Sequence, residues 1–211
     1  EEAQAHTELL QLQRCIFALD LKLPQVLELV AGAALRISGV GSAGGAMVEL
    51  LEDGQLVVRA SAGPMGRAPG RAMALQDSLL WPSVGQGSKL LCNDTQAVGW
   101  RHFTGPGGET LCSALALPLR SQSGVAGLLK VVSVQANAFG ARCVAHLEVL
   151  AETLGSMVQL RHLTEQLDAS HQQYKLLFDT HPQPMWLHAL EGRQRILAAN
   201  QLARTLVGHL P

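Results

Sequence analysis

No two cysteines in this sequence stand at the Cys-x-x-Cys spacing; Cys15, Cys92, Cys112 and Cys143 are scattered along 211 residues. That pattern suits a reducing compartment better than a disulfide framework, so a cytoplasmic location is expected. Basic runs are missing as well. With 16 Lys and Arg against 17 Asp and Glu, the formal net charge is −1, which argues against a nucleic-acid or anionic-membrane surface. No apolar run approaches the roughly 18–20 residues of a membrane span, and no signal-peptide pattern opens the chain. Charged residues make up only 16%, whereas hydrophobic residues reach 47%. Such a chain is globular and long enough to bury one sizeable core with appendages. It opens Glu-Glu without Met, and is expected to be a piece of something longer.

Catalytic signatures are absent too. There is no GxSxG, HExxH, Walker loop or zinc-ligand spacing, so no catalytic residue and no metal ligand is assigned. The Gly pairs of 39–45 lack the strand–helix order of a phosphate-binding loop. Of eight histidines, seven (His6, His146, His162, His171, His181, His188, His209) lie on expected helices or in the tail and read as solvated. His102 sits in a loop between Trp100 and Phe103, as a packing cluster or as a ligand contact. Cys92 and Cys112 fall at the end of one strand and the start of another. They are read as small buried hydrophobes, with thiol chemistry as the alternative. Lys130, in an apolar strand, is expected to snorkel to a sheet edge or pair locally.

What is present is organised around Ser113–Val134. Two apolar runs, 113–119 and 125–134, flank the polar loop 120–124. Apolar at nearly every position, they predict strands covered on both faces, at the centre of a sheet. Pro118 is placed where a missing N–H costs least. Upstream, the spacing of Leu9, Leu12, Ile16 and Leu19 predicts an amphipathic helix with a short heptad seam. Pro24 opens a second helix whose stripe Val26, Leu27, Val30, Ala34, Ile37 ends at Ser38-Gly39. Segments 46–51 and 56–61 predict a hairpin turned by Asp53-Gly54. Residues 62–76 read as a Gly/Pro-rich loop, 77–84 as a short helix, 89–92 as a brief strand, and 96–111 as a second long loop.

After Phe139-Gly140 the leucine spacing predicts one helix of roughly 35 residues, against a mean of about 11–12. Leu147, Leu150, Leu154 and Met157 repeat at three and four, and Leu160, Leu163, Leu167, Ser170, Tyr174 and Leu177 continue the pattern. The step from Met157 to Leu160 is one residue short, a local stammer. The second half outruns any core the first half could cover, so a second copy of the chain is its simplest partner. The expected homodimer is parallel, with the Leu9–Leu19 helix alongside and Leu9, Leu12, Ile16, Leu150, Leu154, Met157, Leu160, Leu163 and Leu167 at the interface. The seam should loosen at Ser170 and Tyr174. Pro182 ends the helix; 185–189 and 195–198 predict two strands, and Asn200 caps a last helix.

Taken together, the hairpin AMVELLEDGQLVVRASAG, the segment DSLLWPSVGQGSKLLCNDT, the strands SALALPLRSQSGVAGLLKVVS and the helix AFGARCVAHLEVLAETLGSMVQL resemble a GAF domain over roughly residues 20–162. The residues YKLLFDTHPQPMWLHALEGRQRILAANQLARTLVG look like the start of a PAS domain. The resemblance implies an α+β fold: a GAF-like antiparallel sheet with helices on one face, a long connecting helix and a partial PAS segment. The divisions it implies are a helix at 1–19, a GAF sensory domain at 20–158, a coiled-coil linker at 159–180 and the PAS start at 181–211.

It further implies a small, largely apolar pocket between the sheet and loops 63–84 and 93–112. Trp81, Trp100, His102 and Ser113 would line it beside Cys92 and Cys112, with Asp94 and Thr95 at its rim. The ligand is an unknown small molecule. The cyclic-nucleotide motif Asn-Lys-Phe-Asp-Glu is missing, and the cysteines are followed by Ile16, Asn93, Ser113 and Val144 instead of the bilin-attaching His. Bilin, haem and metal are therefore not expected. Similar domains carry Gly where Trp81 stands, and acidic residues where Ala97-Val98-Gly99-Trp100 follow the CNDT turn. By resemblance the chain is a non-catalytic input module of a bacterial signalling protein, with PAS and output domains downstream that make or degrade cyclic-di-GMP or form a histidine kinase. The alternative is an enzyme similar to the free methionine sulfoxide reductases, using Cys92 and Cys112.

Overall fold

The computed structural model describes residues 22–100, 103–122, 124–189 and 195–207. The expected helix through Leu9, Leu12, Ile16 and Leu19 lies outside the described residues, as does His102. Contacts divide the chain into two compact units, Glu1–Gln159 and Leu160–Pro211.

The first unit opens with α1 (Leu23–Ser38), which has Pro24 in its first turn and ends at Gly39. Its start is held by the Lys22 N–H donating to Gln25 Oε1 at 3.0 Å. Val26, Leu27, Val30, Ala31, Ala33 and Ala34 are buried, a helical stripe that lies on the sheet. Strands β1 (Gly44–Glu52) and β2 (Gln55–Ala62) follow. Asp53 and Gly54 both take positive φ, 46° and 76°, the two-residue geometry whose twist suits a hairpin. A bulge between Val48 and Glu49 shifts the register.

The chain continues through β3 (Ala72–Ala74), the one-turn helix α2 (Trp81–Val84) and β4 (Leu90–Cys92). Then come β5 (Ser113–Ser121), β6 (Gly124–Ser133) and the long helix α3 (Ala141–Thr180). All neighbours are antiparallel in the order β3-β2-β1-β6-β5-β4. An α+β fold with a six-stranded antiparallel sheet and a long helix is thus established. The apolar 113–134 stretch does supply β6 at the centre. β4 pairs with β5 only through Ala116, so Pro118 stands where that edge of β5 is open and needs no donor. Two expectations need correction. The 62–76 loop contains a strand, β3, paired to β2 at the sheet edge, and the 77–84 helix shrinks to Trp81–Val84, preceded by a 3-10 turn at Leu75–Asp77.

One face of the sheet carries the main core. Ala46, Val48, Leu50, Leu115, Leu117, Leu119, Leu129 and Val131 pack with α1 and with Val144, Leu147, Leu150, Ala151 and Leu154 of α3. At Gly155 the helix meets β5 backbone to backbone: a Cβ there would lie 2.6 Å from the Arg120 carbonyl oxygen. The Gln122 N–H also donates to Gln159 Oε1 at 3.0 Å. Leu150 and Leu154, expected at a dimer interface, are 2% and 0% exposed within the chain's own core, and Met157 packs against that core. They are core residues, because the sheet needs that face of the helix first.

The second unit holds the rest of α3, the hairpin β7 (Trp186–His188) and β8 (Ile196–Ala199), and α4 (Gln201–Val207). Asn200, fully buried, organises it. Its Oδ1 accepts from the Ala203 N–H at 2.9 Å and the Met185 N–H at 3.0 Å, while Nδ2 donates to the Gln183 carbonyl at 2.8 Å. One side chain thereby caps α4, as expected, and also ties its start to the segment that leads into β7. Leu160, Leu163, Leu167, Tyr174 and Leu177 on α3 are exposed, Leu167 at 70%. No described helix is long and apolar enough to cross a membrane.

Candidate functional site

The face of the sheet opposite the helices is covered by loops, and its side chains fall into two groups. Met47, Val58, Leu111, Ala114 and Val132 form one, with Met65, Trp100, Phe103 and Val134 packed against it. Leu56, Leu80, Val84, Ala116 and Leu128 form the other, with Leu75, Trp81, Leu90, Trp100 and Val125. Trp100 belongs to both, and Phe103 meets it edge-on at 5.5 Å. At one end the covering loop rests directly on the strand, since a Cβ on Gly45 would come within 2.3 Å of the Gly66 nitrogen.

Between the groups lies a buried ion pair, Lys130 Nζ with Glu49 Oε1. The side chains are 6% and 3% exposed. Strand register explains the placement. Glu49 stands opposite Val58 on one side and Leu128 on the other, whereas Lys130 stands opposite Met47 and Ala116. Each ion therefore has one neighbour from either apolar group, and the two reach each other diagonally across β1 and β6. Glu49 Oε2 has no hydrogen-bond partner among the described residues. Lys130 pairs locally, one of its two expected roles, deep at the centre of the sheet. Glu49 was hidden from sequence reasoning, although a signal existed: two neighbouring apolar strands each carry one internal charge, of opposite sign.

The CNDT turn proves to be a set of braces. Asn93 Nδ2 donates to the Phe139 carbonyl at 3.2 Å, and its own carbonyl accepts from the Asn137 N–H at 2.7 Å. Asp94 is exposed, and its Oδ1 accepts the N–H groups of Gln96 and Ala97 at 3.0 and 3.1 Å. Thr95 is fully buried, with Oγ1 donating to the Leu111 carbonyl at 2.6 Å and its N–H donating to the Cys112 carbonyl at 2.9 Å. The expected rim position of Thr95 is thus corrected, because the hydroxyl is consumed in holding the 95–111 loop shut. Ser113 needs a second correction. Strand alternation puts it on the side of Leu115 and Leu117, where its Oγ donates to the Gln135 carbonyl at 2.7 Å.

Trp81 is half-buried against the second group, and its ring lies over Gly85, where a Cβ would fall 2.7 Å from Cε2. Trp81, Trp100 and Cys92 are accordingly all on the loop side, Cys92 through its register with Ala114. Cys92 is buried. Burial pushes its thiol up; the Asp94 backbone pulls the other way, and the Asp94 carboxylate adds to the upward push. Burial also raises the thiol of Cys143. Cys112 is half-buried, its Sγ 3.9 Å from the Thr110 carbonyl. Among the described residues no group of three or more His, Cys, Asp and Glu could hold a metal. Two surface clefts lie elsewhere, one of about 330 Å³ beside Leu23, Leu27 and Arg59, another of about 190 Å³ beside Lys89, Pro118 and Glu148.

Comparison with known proteins identifies this sheet, with helices on one face and loops folded over the other. Residues 20–159 match the model of the GAF domain family, and the chain belongs to that family, whose members are small-molecule-binding sensory modules of signalling proteins. Among solved structures it is similar to the GAF domain of an Acinetobacter phosphoenolpyruvate-protein phosphotransferase. The TM-score there is 0.65 at 18% identity, covering 74% of this chain and 93% of that one. The second GAF domain of DevS from Mycobacterium smegmatis matches at 25% identity and TM-score 0.51, over 68% of this chain and 99% of that one. A free methionine-R-sulfoxide reductase from Neisseria meningitidis, solved with its substrate, matches at 18% identity and TM-score 0.58, over 73% and 87%. No curated protein matches the chain in sequence.

Proposed function

We propose that the chain is a non-catalytic input module of a bacterial, cytoplasmic signalling protein. It binds a small molecule on the loop-covered face, between the sheet and loops 63–84 and 93–112. Occupancy is relayed through a dimeric helix to a PAS domain beginning near residue 181 and on to an output domain. That output makes or degrades cyclic-di-GMP or is a histidine kinase. Of the expected lining, Trp81, Cys92 and Trp100 stay in the site, with Cys112 beside it, Asp94 at the outside of its brace and Glu49 and Lys130 added at the floor. One observation carries the relay. The helix that buries Leu147, Leu150 and Leu154 under the sheet goes on to hold Leu160, Leu163 and Leu167 in water, 63%, 49% and 70% exposed. At about 1.5–3 kcal/mol per buried leucine, a second copy of the stripe is a strong attractor.

The reductase-like alternative is disfavoured by Cys92. A nucleophilic cysteine needs thiolate character in a cationic, accessible setting, whereas this thiol is buried, raised, and neighboured by a carboxylate. Native mass measurement of gently purified protein tests the reading. A dimer is expected, with extra mass if the ligand is carried. A monomer at micromolar concentration overturns the relay, and thiol-dependent reduction of free methionine sulfoxide that disappears in Cys112→Ser overturns the non-catalytic role.

A further inference from the structure

The unpartnered oxygen of Glu49 points to the chemistry of the ligand, on the reading that the loop-covered face is the binding site. A carboxylate oxygen buried without a hydrogen bond costs the free energy of the water it gave up, and native proteins leave few such atoms unexplained. Here the ion pair uses Glu49 Oε1 alone. Lys130 brings three donors, and among the described residues its ammonium meets that same Glu49 oxygen. Acceptor and donors therefore remain side by side at the seam of the two apolar groups.

The surroundings narrow what could use them. Val58 and Leu128 beside the carboxylate, and Met47 and Ala116 beside the ammonium, offer no competing hydrogen bonds. The charges already cancel, so a charged guest would be buried without a counter-ion of its own. Trp100 packs against both groups and is steadied by the edge of Phe103, which suits a flat body with an aromatic face.

We propose that Glu49 and Lys130 are the polar anchor of the site, and that its ligand is a small, flat, neutral molecule with an N–H beside a C=O, as in a lactam edge. The N–H donates to Glu49 Oε2 and the carbonyl accepts from Lys130 Nζ. Aliphatic amines and carboxylates each satisfy one ion and repel the other, so they are selected against.

Two simple lactams, 2-pyridone and quinolin-2-one, test this by calorimetric titration into the whole chain, each against its N-methyl form. N-methylation keeps the ring and carbonyl and removes the one donor. The expected result is saturable binding of at least one lactam that falls about tenfold to a hundredfold on N-methylation, the effect of leaving a buried acceptor unmet. It should be lost in a Glu49→Met/Lys130→Met variant shown by circular dichroism to be folded. Equal binding of a lactam and its N-methyl form overturns the anchor while leaving a sensory pocket intact. The anchor also fails if neither lactam binds, as when ordered water alone meets the Glu49 oxygen. The sensor reading fails separately, on the monomer and reductase results.

Discussion

Removing one member of the Glu49–Lys130 pair should cost far more than removing both. Glu49→Ala leaves an ammonium buried without its counter-ion, for which about 3–5 kcal/mol of destabilisation is expected. Glu49→Met/Lys130→Met replaces both ions with apolar groups between Val58, Leu128, Met47 and Ala116, and should recover most of that loss. Urea denaturation of the three proteins decides; if the single and double variants are equally unstable, the ions are not coupled. Cysteine chemistry at this scale follows burial. With the thiols of Cys92 and Cys143 raised, the reactive thiolate forms only at higher pH than the ordinary thiol value of about 8.5. Site-resolved mass spectrometry after iodoacetamide at pH 7 should find both largely unmodified, with labelling climbing above pH 9. Rapid labelling of Cys92 at pH 7 would contradict its environment.

At the scale of elements, α3 is seated by the absence of a side chain. A Cβ on Gly155 would meet the Arg120 carbonyl oxygen at 2.6 Å and its nitrogen at 2.8 Å, both backbone. Gly155→Ala should therefore push helix from strand and cost about 1–3 kcal/mol. Gly32 on α1 is the contrast: its Cβ would meet only the Arg36 side chain, at 3.4 Å. Gly32→Ala should stabilise by about 0.5–1 kcal/mol through lost unfolded-state entropy. Thermal melts that rank the two variants the other way would refute this seating. Elements marked by local chemistry were legible from the sequence, among them the Asp53-Gly54 hairpin, the Asn200 cap and the stop at Pro182. What was not legible depends on partners distant in the chain. β3 is three residues inside a Gly/Pro-rich stretch, and it is a strand only because Leu56 offers an edge to Met73. The facing of Ser113 is fixed by the register running through Leu115 and Leu117, not by its neighbours in sequence. Glu49 looked like one charge in an apolar run until β6 brought Lys130 beside it.

For the whole molecule, the two halves of the leucine pattern on α3 should respond differently to charge. Leu163→Asp/Leu167→Asp alters residues that are 49% and 70% exposed; it should leave the fold intact and turn a dimer into a monomer by sedimentation or light scattering. Leu154→Asp places a carboxylate where exposure is 0% and should unfold the first unit instead. A double variant that stays dimeric would remove α3 as the interface. The sheet order carries another consequence, one set by time. β1 and β6 are neighbours, yet Glu49 and Lys130 are 81 residues apart in the chain. At synthesis rates of about 5–20 residues per second, roughly 4–16 s separates them on the ribosome. For that interval β1 can pair only with β2, and its other edge, apolar on both faces, faces other nascent chains. A single carboxylate in the middle of such a strand is a gatekeeper against edge-to-edge aggregation. Glu49, paired with Lys130 once β6 arrives, would by then have kept the half-made protein in solution.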